Sequence, residues 1–164
     1  MPAPAAVVWD ALERHGFARS GLVRFLMALR GYGWRAGKSD AATFSESARR
    51  FGFVELERTP GREVVLGLAG RFWRTDGGLR RLTPEEFARF AEDGAAKAVW
   101  NVALTPRGPC ETELATETRV LCFGPSARRK FLLYWAFIEP FSALTRVALL
   151  EGVRKEALRA GPCG

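Results

Sequence analysis

Apolar and polar positions divide the chain into a helical beginning, an alternating middle and a long apolar end. Val8, Leu12 and His15 recur at helical spacing and predict a helix over Ala5 to Arg14, with Gly16 able to stop it. Ser20 is placed to cap a second helix, Gly21 to Arg30, whose apolar stripe is Leu22, Phe25, Leu26 and Leu29. The two read as a short helical hairpin. Trp34 to Ser47 is polar and predicts a loop followed by a helical turn or two within Ala41 to Arg50, capped by Thr43 or Ser45.

From Gly52 the period changes to alternation. Phe53 to Arg58 reads as a strand, Thr59-Pro60-Gly61 as a turn, and Arg62 to Trp73 as a longer strand. On that strand Val64, Leu66, Leu68, Gly70 and Phe72 share one face. Gly67 and Gly70 suggest curvature or the close approach of another element. Asp76-Gly77-Gly78 signals a hairpin, and Leu79 to Leu82 can pair back. Thr83-Pro84-Glu85-Glu86 has the chemistry of a helix start and predicts a helix over Pro84 to Ala91 with Phe87 and Phe90 inward. Ala96 to Pro106 is the next strand, with Ala98, Trp100, Val102 and Leu104 on one side. Glu111 to Phe123 is the last. Its inward set is taken as Leu114, Thr116, Thr118, Val120 and Cys122; the opposite parity would bury Glu117 with Arg119, at a cost.

Arg128 to Ala160 predicts one long helix, bent at Pro140. Phe131 to Ile138 is apolar almost all round, which predicts cover on more than one side. Leu144, Val147, Leu150 and Val153 are expected to continue the inner stripe. Pro140 is where the helix should change partners, from sheet to N-terminal hairpin. Phe131 to Leu150 has the length of a membrane span, but Glu139, Pro140, Ser142, Thr145 and Arg146 interrupt it, so it reads as a core helix.

Composition narrows the class. The chain has 164 residues, 48% hydrophobic and 26% charged, enough for one folded domain over 1–164. The net charge is +7, but the basic residues are spread along the chain rather than gathered on one element, which argues against a specific nucleic-acid reader. Cys110, Cys122 and Cys163 lack metal-ligand spacing and His15 is the one histidine, so no metal site is expected. Reduced thiols and the lack of a signal-peptide pattern point to a cytoplasmic protein.

Helices, antiparallel strands and one long terminal helix make an α+β order. The Ala3 to Leu12 opening, Lys97 to Val102, Thr112 to Val120 and the terminal helix resemble the helix-grip fold of the START-related, pollen-allergen-like and polyketide-cyclase (SRPBCC) superfamily. The resemblance covers nearly the whole chain. It implies a curved antiparallel sheet wrapped around the long C-terminal helix, and an apolar cavity between them for lipids, polyketides or similar molecules. Family members include carriers, cyclases and hydrolases, and fold alone does not choose among them. One departure matters: the family has a strand before the first helix, and here only Met1 to Pro4 stand there. Either the strand is reduced or absent, leaving a bare neighbouring edge that invites a homodimer, or the true start lies upstream.

No nucleophile elbow or phosphate-cradling glycine loop is present, and no catalytic residue is assigned. Arg71, Trp73 and Arg74 form the most suggestive cluster, since a guanidinium beside aromatic rings can hold an acidic head group; the alternative is that arginine covers the rings from outside. Trp100, Tyr134 and Trp135 offer large apolar bodies with one polar tip, suited to a pocket or to core packing. Thr116 and Thr118, on the inward set, complete the expected lining. The leading expectation is binding of a small apolar or amphipathic molecule with no cofactor. The alternatives are a cyclase- or hydrolase-like enzyme using Arg71, Glu117 or Tyr134, and an interaction or structural module whose cavity is filled.

Overall fold

The computed structural model describes residues 1–15, 43–74 and 78–161. In chain order the elements are α1 (Ala5–Arg14), α2 (Phe44–Arg50), β1 (Val54–Thr59), β2 (Glu63–Gly70), β3 (Leu79–Arg80), α3 (Pro84–Arg89), β4 (Ala96–Gly108), β5 (Glu111–Cys122) and α4 (Pro125–Ala160). The expected helix over Gly21 to Arg30, and with it the hairpin, lies outside the described residues.

The alternating middle folds into an open, antiparallel, five-stranded sheet in the order β1-β2-β4-β5, with β3 pairing the end of β2. Val64, Leu66, Trp100, Val102 and Leu104 bury their side chains on one face, as the period-two pattern predicts. The chosen parity of β5 also holds. Leu114, Val120 and Cys122 pack inward, while Glu117 and Arg119 form an exposed pair at 2.8 Å. Gly67 serves close approach: a Cβ there would lie 2.8 Å from the Phe87 ring, so the missing side chain lets α3 rest on the sheet. Lys97 then donates to the Phe87 and Ala88 carbonyls at the C-terminal end of α3, at 3.4 and 3.2 Å, completing what the last turn leaves unpaired.

Both short helices begin as their sequences dictate. Thr43 with Glu46, and Thr83 with Glu86, form reciprocal capping boxes, and Pro84 occupies the first turn of α3. Three elements meet at Arg58 of β1. Its guanidinium donates to Glu13 of α1, to Ser45 of α2, and to Glu55 at 2.9 Å, and it lies 5.8 Å from the Trp9 ring centroid. Beside that guanidinium and the Ser45 hydroxyl, the Glu55 carboxyl is lowered from 4.5 to about 2.

Residues before α1 are tied to the far edge of the sheet. The Met1 amine donates to the Thr112 carbonyl at 2.7 Å, and the Thr112 amide donates back to the Met1 carbonyl at 3.0 Å. The buried Thr112 hydroxyl donates to the Ala3 carbonyl at 2.9 Å. The outer edge of β5 is therefore occupied at Thr112 by one residue in the position of a strand. At the adjoining β4–β5 turn Cys110 is disulfide-bonded, and Cys122 is free. The expectation of reduced thiols is corrected at Cys110, and with it goes the thiol argument for a reducing compartment.

The 36-residue α4 lies across the inner face of the sheet. Its buried residues are Phe131, Ile138, Thr145, Leu149, Val153 and Ala157, with Ala127 at the start. Before Pro140 it packs with Phe72, Leu68, Ala98 and Val120. After Pro140, Leu149, Val153 and Ala157 join Val8, Ala11 and Leu12 of α1 and the strand residues in the main core. After Pro140 the helix gains α1 as the sequence predicts but also keeps the sheet as a partner, and the second helix of the expected hairpin lies outside the described residues. Gly152 belongs to the same contact: a Cβ there would stand 2.0 Å from the His15 ring, so glycine lets the end of α1 close on α4. His15 itself closes α1, its amide donating to the Ala11 carbonyl, and its Nδ1 lies 3.3 Å from Glu156.

Two expectations for α4 are overturned. Leu144 and Val147 are exposed rather than inward, and Leu132, Leu133 and Phe137 are bare. The cause is a helix with apolar residues on both sides. Such a pattern has no single phase, and an inner stripe cannot be told from an outer one by hydrophobicity. Only 17% of its most apolar stretch is buried, so α4, which has the length and composition of a membrane span, meets the rest of the chain on one face.

Candidate functional site

A cavity of about 100 Å³ opens between the sheet and α4. Its floor is Leu68 of β2, Ala98 and Trp100 of β4, and Thr118 and Val120 of β5. Its roof is Phe131, Tyr134 and Trp135 of α4, with Phe53 and Phe72 at the ends. Ser142, Thr145 and Arg146, just beyond Pro140, supply a polar margin. Three strands and one helix crossing them, with Phe53 and Phe72 beside the strands, bring these side chains together from six parts of the chain.

The aromatic walls support one another. The Phe131 ring stacks on Trp135 with centroids 5.7 Å apart, and meets Tyr134 at 6.2 Å and Phe72 at 6.3 Å. Trp100 lies 5.7 Å from both Phe44 and Phe53. Its indole Nε1 donates to the Thr116 hydroxyl at 2.6 Å, and that hydroxyl donates to the Asn101 carbonyl at 2.7 Å. Such a chain satisfies the one polar atom of a buried tryptophan and fixes its ring.

Four of the seven residues expected from sequence line the cavity: Trp100, Thr118, Tyr134 and Trp135. Thr116 does not; it holds the Trp100 indole from behind. Trp73 packs against the cluster around Phe131 without reaching the lining. Arg71 is a correction. Its Nη2 faces Glu92 Oε1 at 3.3 Å, and Glu92 is shared with Arg80 at 2.9 Å, so the guanidinium serves a carboxylate of the chain itself. Glu117 also lies away from the cavity, on the outer face of β5, where Arg119 holds its carboxyl below the usual range. Of Arg71, Glu117 and Tyr134, the alternatives named for an enzyme, Tyr134 lines the cavity and the other two do not.

No family model, curated protein or solved structure matches this chain. The site therefore rests on its own geometry, and the residue that most changes it is Arg146. Among the described residues no carboxylate lies within ion-pair reach of it. Thr145, by contrast, donates to its own helix at the Phe141 carbonyl, 2.9 Å away. A signal for Arg146 was present in the spacing. Trp135, Ser142 and Arg146 stand seven and four residues apart, which keeps them on one helix face. Among the described residues no group of three His, Cys, Asp or Glu side chains is placed to hold a metal ion.

Proposed function

We propose that this chain is a helix-grip protein that binds a small, mostly apolar molecule carrying an acidic group. The apolar part enters between Trp100, Tyr134 and Trp135, and the acid faces Arg146. The carrying observation is an aromatic cavity whose polar margin ends in a cation, Arg146, with no carboxylate in ion-pair reach among the described residues. An apolar slot with a few convergent polar groups is the usual form of a small-molecule site. A guanidinium at its margin favours carboxylate or phosphate geometry. The helix-grip reading is supported by the antiparallel sheet under a long terminal helix.

A second reading has a specific observation behind it. The cavity, at about 100 Å³, is smaller than the ~300 Å³ at the lower end of ligand pockets. On that reading the space is a packing gap in a protein-interaction or structural module.

The experiment is a titration with medium-chain fatty acids and aromatic carboxylates beside their methyl esters, followed by tryptophan fluorescence and thermal shift. Binding in the cavity predicts that Ala98→Leu, which fills it, blocks acid and ester alike. Arg146→Gln removes the preference for acid over ester. No response to any compound, or a response untouched by Ala98→Leu, sinks the proposal and leaves the filled-gap reading.

A further inference from the structure

The outer face of α4 has no role in the cavity, and its pattern is not that of an ordinary solvated helix. Leu133, Phe137, Pro140, Leu144 and Val147 follow at steps of four and three, which places them in one stripe. Leu133 is 72% exposed and Phe137 is 68% exposed, with Leu144 and Val147 about half exposed. At 1.5 Å per residue the stripe runs for about 21 Å. Apolar area of that extent on a soluble surface marks an interaction site.

Charge decides what it meets. One turn before the stripe stand exposed Arg129 and Lys130; beyond it, on the same side, stand exposed Arg154 and Lys155. Glu151 is the one acid on this face, 3.6 Å from Arg154. Among the described residues Arg129, Lys130 and Lys155 have no carboxylate in ion-pair reach. An apolar stripe with cations at both ends matches the boundary of an anionic bilayer, where side chains enter the acyl region and cations meet headgroups.

We propose that this face of α4 docks on an anionic lipid surface, with the helix lying in the plane of the interface. A second copy of the chain fits worse. Two-fold pairing, parallel or antiparallel, sets a net positive end against a net positive end. Spanning the bilayer fits worse still, because Leu149, Val153 and Ala157 on the opposite face are buried against α1 and the sheet. The inference stands apart from the cavity, since none of the five stripe residues lines it.

The test is flotation of the protein with vesicles of phosphatidylcholine, with and without phosphatidylserine. Wild type floats with the serine-containing vesicles and is released by salt. Leu133→Ser combined with Phe137→Ser abolishes flotation while the melting temperature holds, because both side chains are exposed. Lys130→Gln with Lys155→Gln weakens partitioning about 30-fold, at about 1 kcal/mol per charge. Equal flotation with neutral vesicles, or flotation untouched by either double variant, overturns the proposal. So does sedimentation of wild type as a dimer that Leu133→Ser with Phe137→Ser converts to monomer.

Discussion

Replacing Glu55 by glutamine tests the junction of α1, α2 and β1 most directly. Glu55 accepts from Arg58 Nε and Nη2, both at 2.9 Å, and from the Ser45 hydroxyl. These bonds lower its carboxyl from 4.5 to about 2. A displacement of that size corresponds to about 3 kcal/mol as an upper bound. Glu55 keeps 20% of its side chain in water, and screening there reduces the figure to about 1–2 kcal/mol. The sign follows from which state binds the proton more readily. Because the folded value is depressed, the stabilisation is full above pH 4.5 and is lost as pH falls toward about 2. Urea unfolding of wild type and Glu55→Gln across that range is the assay. The variant is expected to be less stable by about 1–2 kcal/mol at neutral pH, with the two curves converging near pH 2. Groups elsewhere titrate in both proteins and cancel in the difference. Parallel curves would refute the reasoning and make the Arg58 junction a surface feature without net worth.

The phase of α4 is tested by two neighbours: Leu149→Ala should cost about 2–5 kcal/mol in urea unfolding, and Val147→Ala about 0.5 kcal/mol or less. Gly67→Val should destabilise by about 1–3 kcal/mol by driving a side chain into Phe87, read as a fall in melting temperature. Thr112→Ala removes the buried hydroxyl that Ala3 accepts from, and should cost about 1 kcal/mol while speeding hydrogen exchange of the Ala3 amide. Burial raises the Cys122 thiol above its ordinary value, so it should react with a disulfide reagent more slowly than free cysteine at mildly alkaline pH.

Local chemistry was the most readable part of this chain. The bounds of α1, the Thr83 capping box and the inward set of β5 all follow from nearest-neighbour rules, because a cap or an alternation is decided within a few residues. Thr43 over Ser45 as the cap of α2 needed only the glutamate three positions on. Legibility failed where two distant surfaces compete for the same residues. Leu144 and Leu149 are equally apolar, and only the positions of α1 and the sheet tell them apart. Arg71 was misplaced for a related reason. Its partner Glu92 is 21 positions away, across β3 and α3, and no local rule pairs them. The cavity was half legible: alternation finds Trp100 and Thr118, and the aromatic cluster finds Tyr134 and Trp135. Arg146 escaped because a charge within an apolar run reads as an interruption rather than a lining.

The bonds between the first three residues and Thr112 also bear on how the chain is made. Met1 and Thr112 are separated by 111 positions, and α1 rests on Leu149 and Val153. On a ribosome this segment thus emerges long before the residues it docks on. The side of α1 that meets Leu149 and Val153 stays uncovered until the second half of α4 is synthesised. Closure over such separations is slow, and uncovered apolar surface is where aggregation begins. Truncating the chain before Leu149 would leave α1 only its contacts with α2 and the sheet and strip it of the helix that covers it.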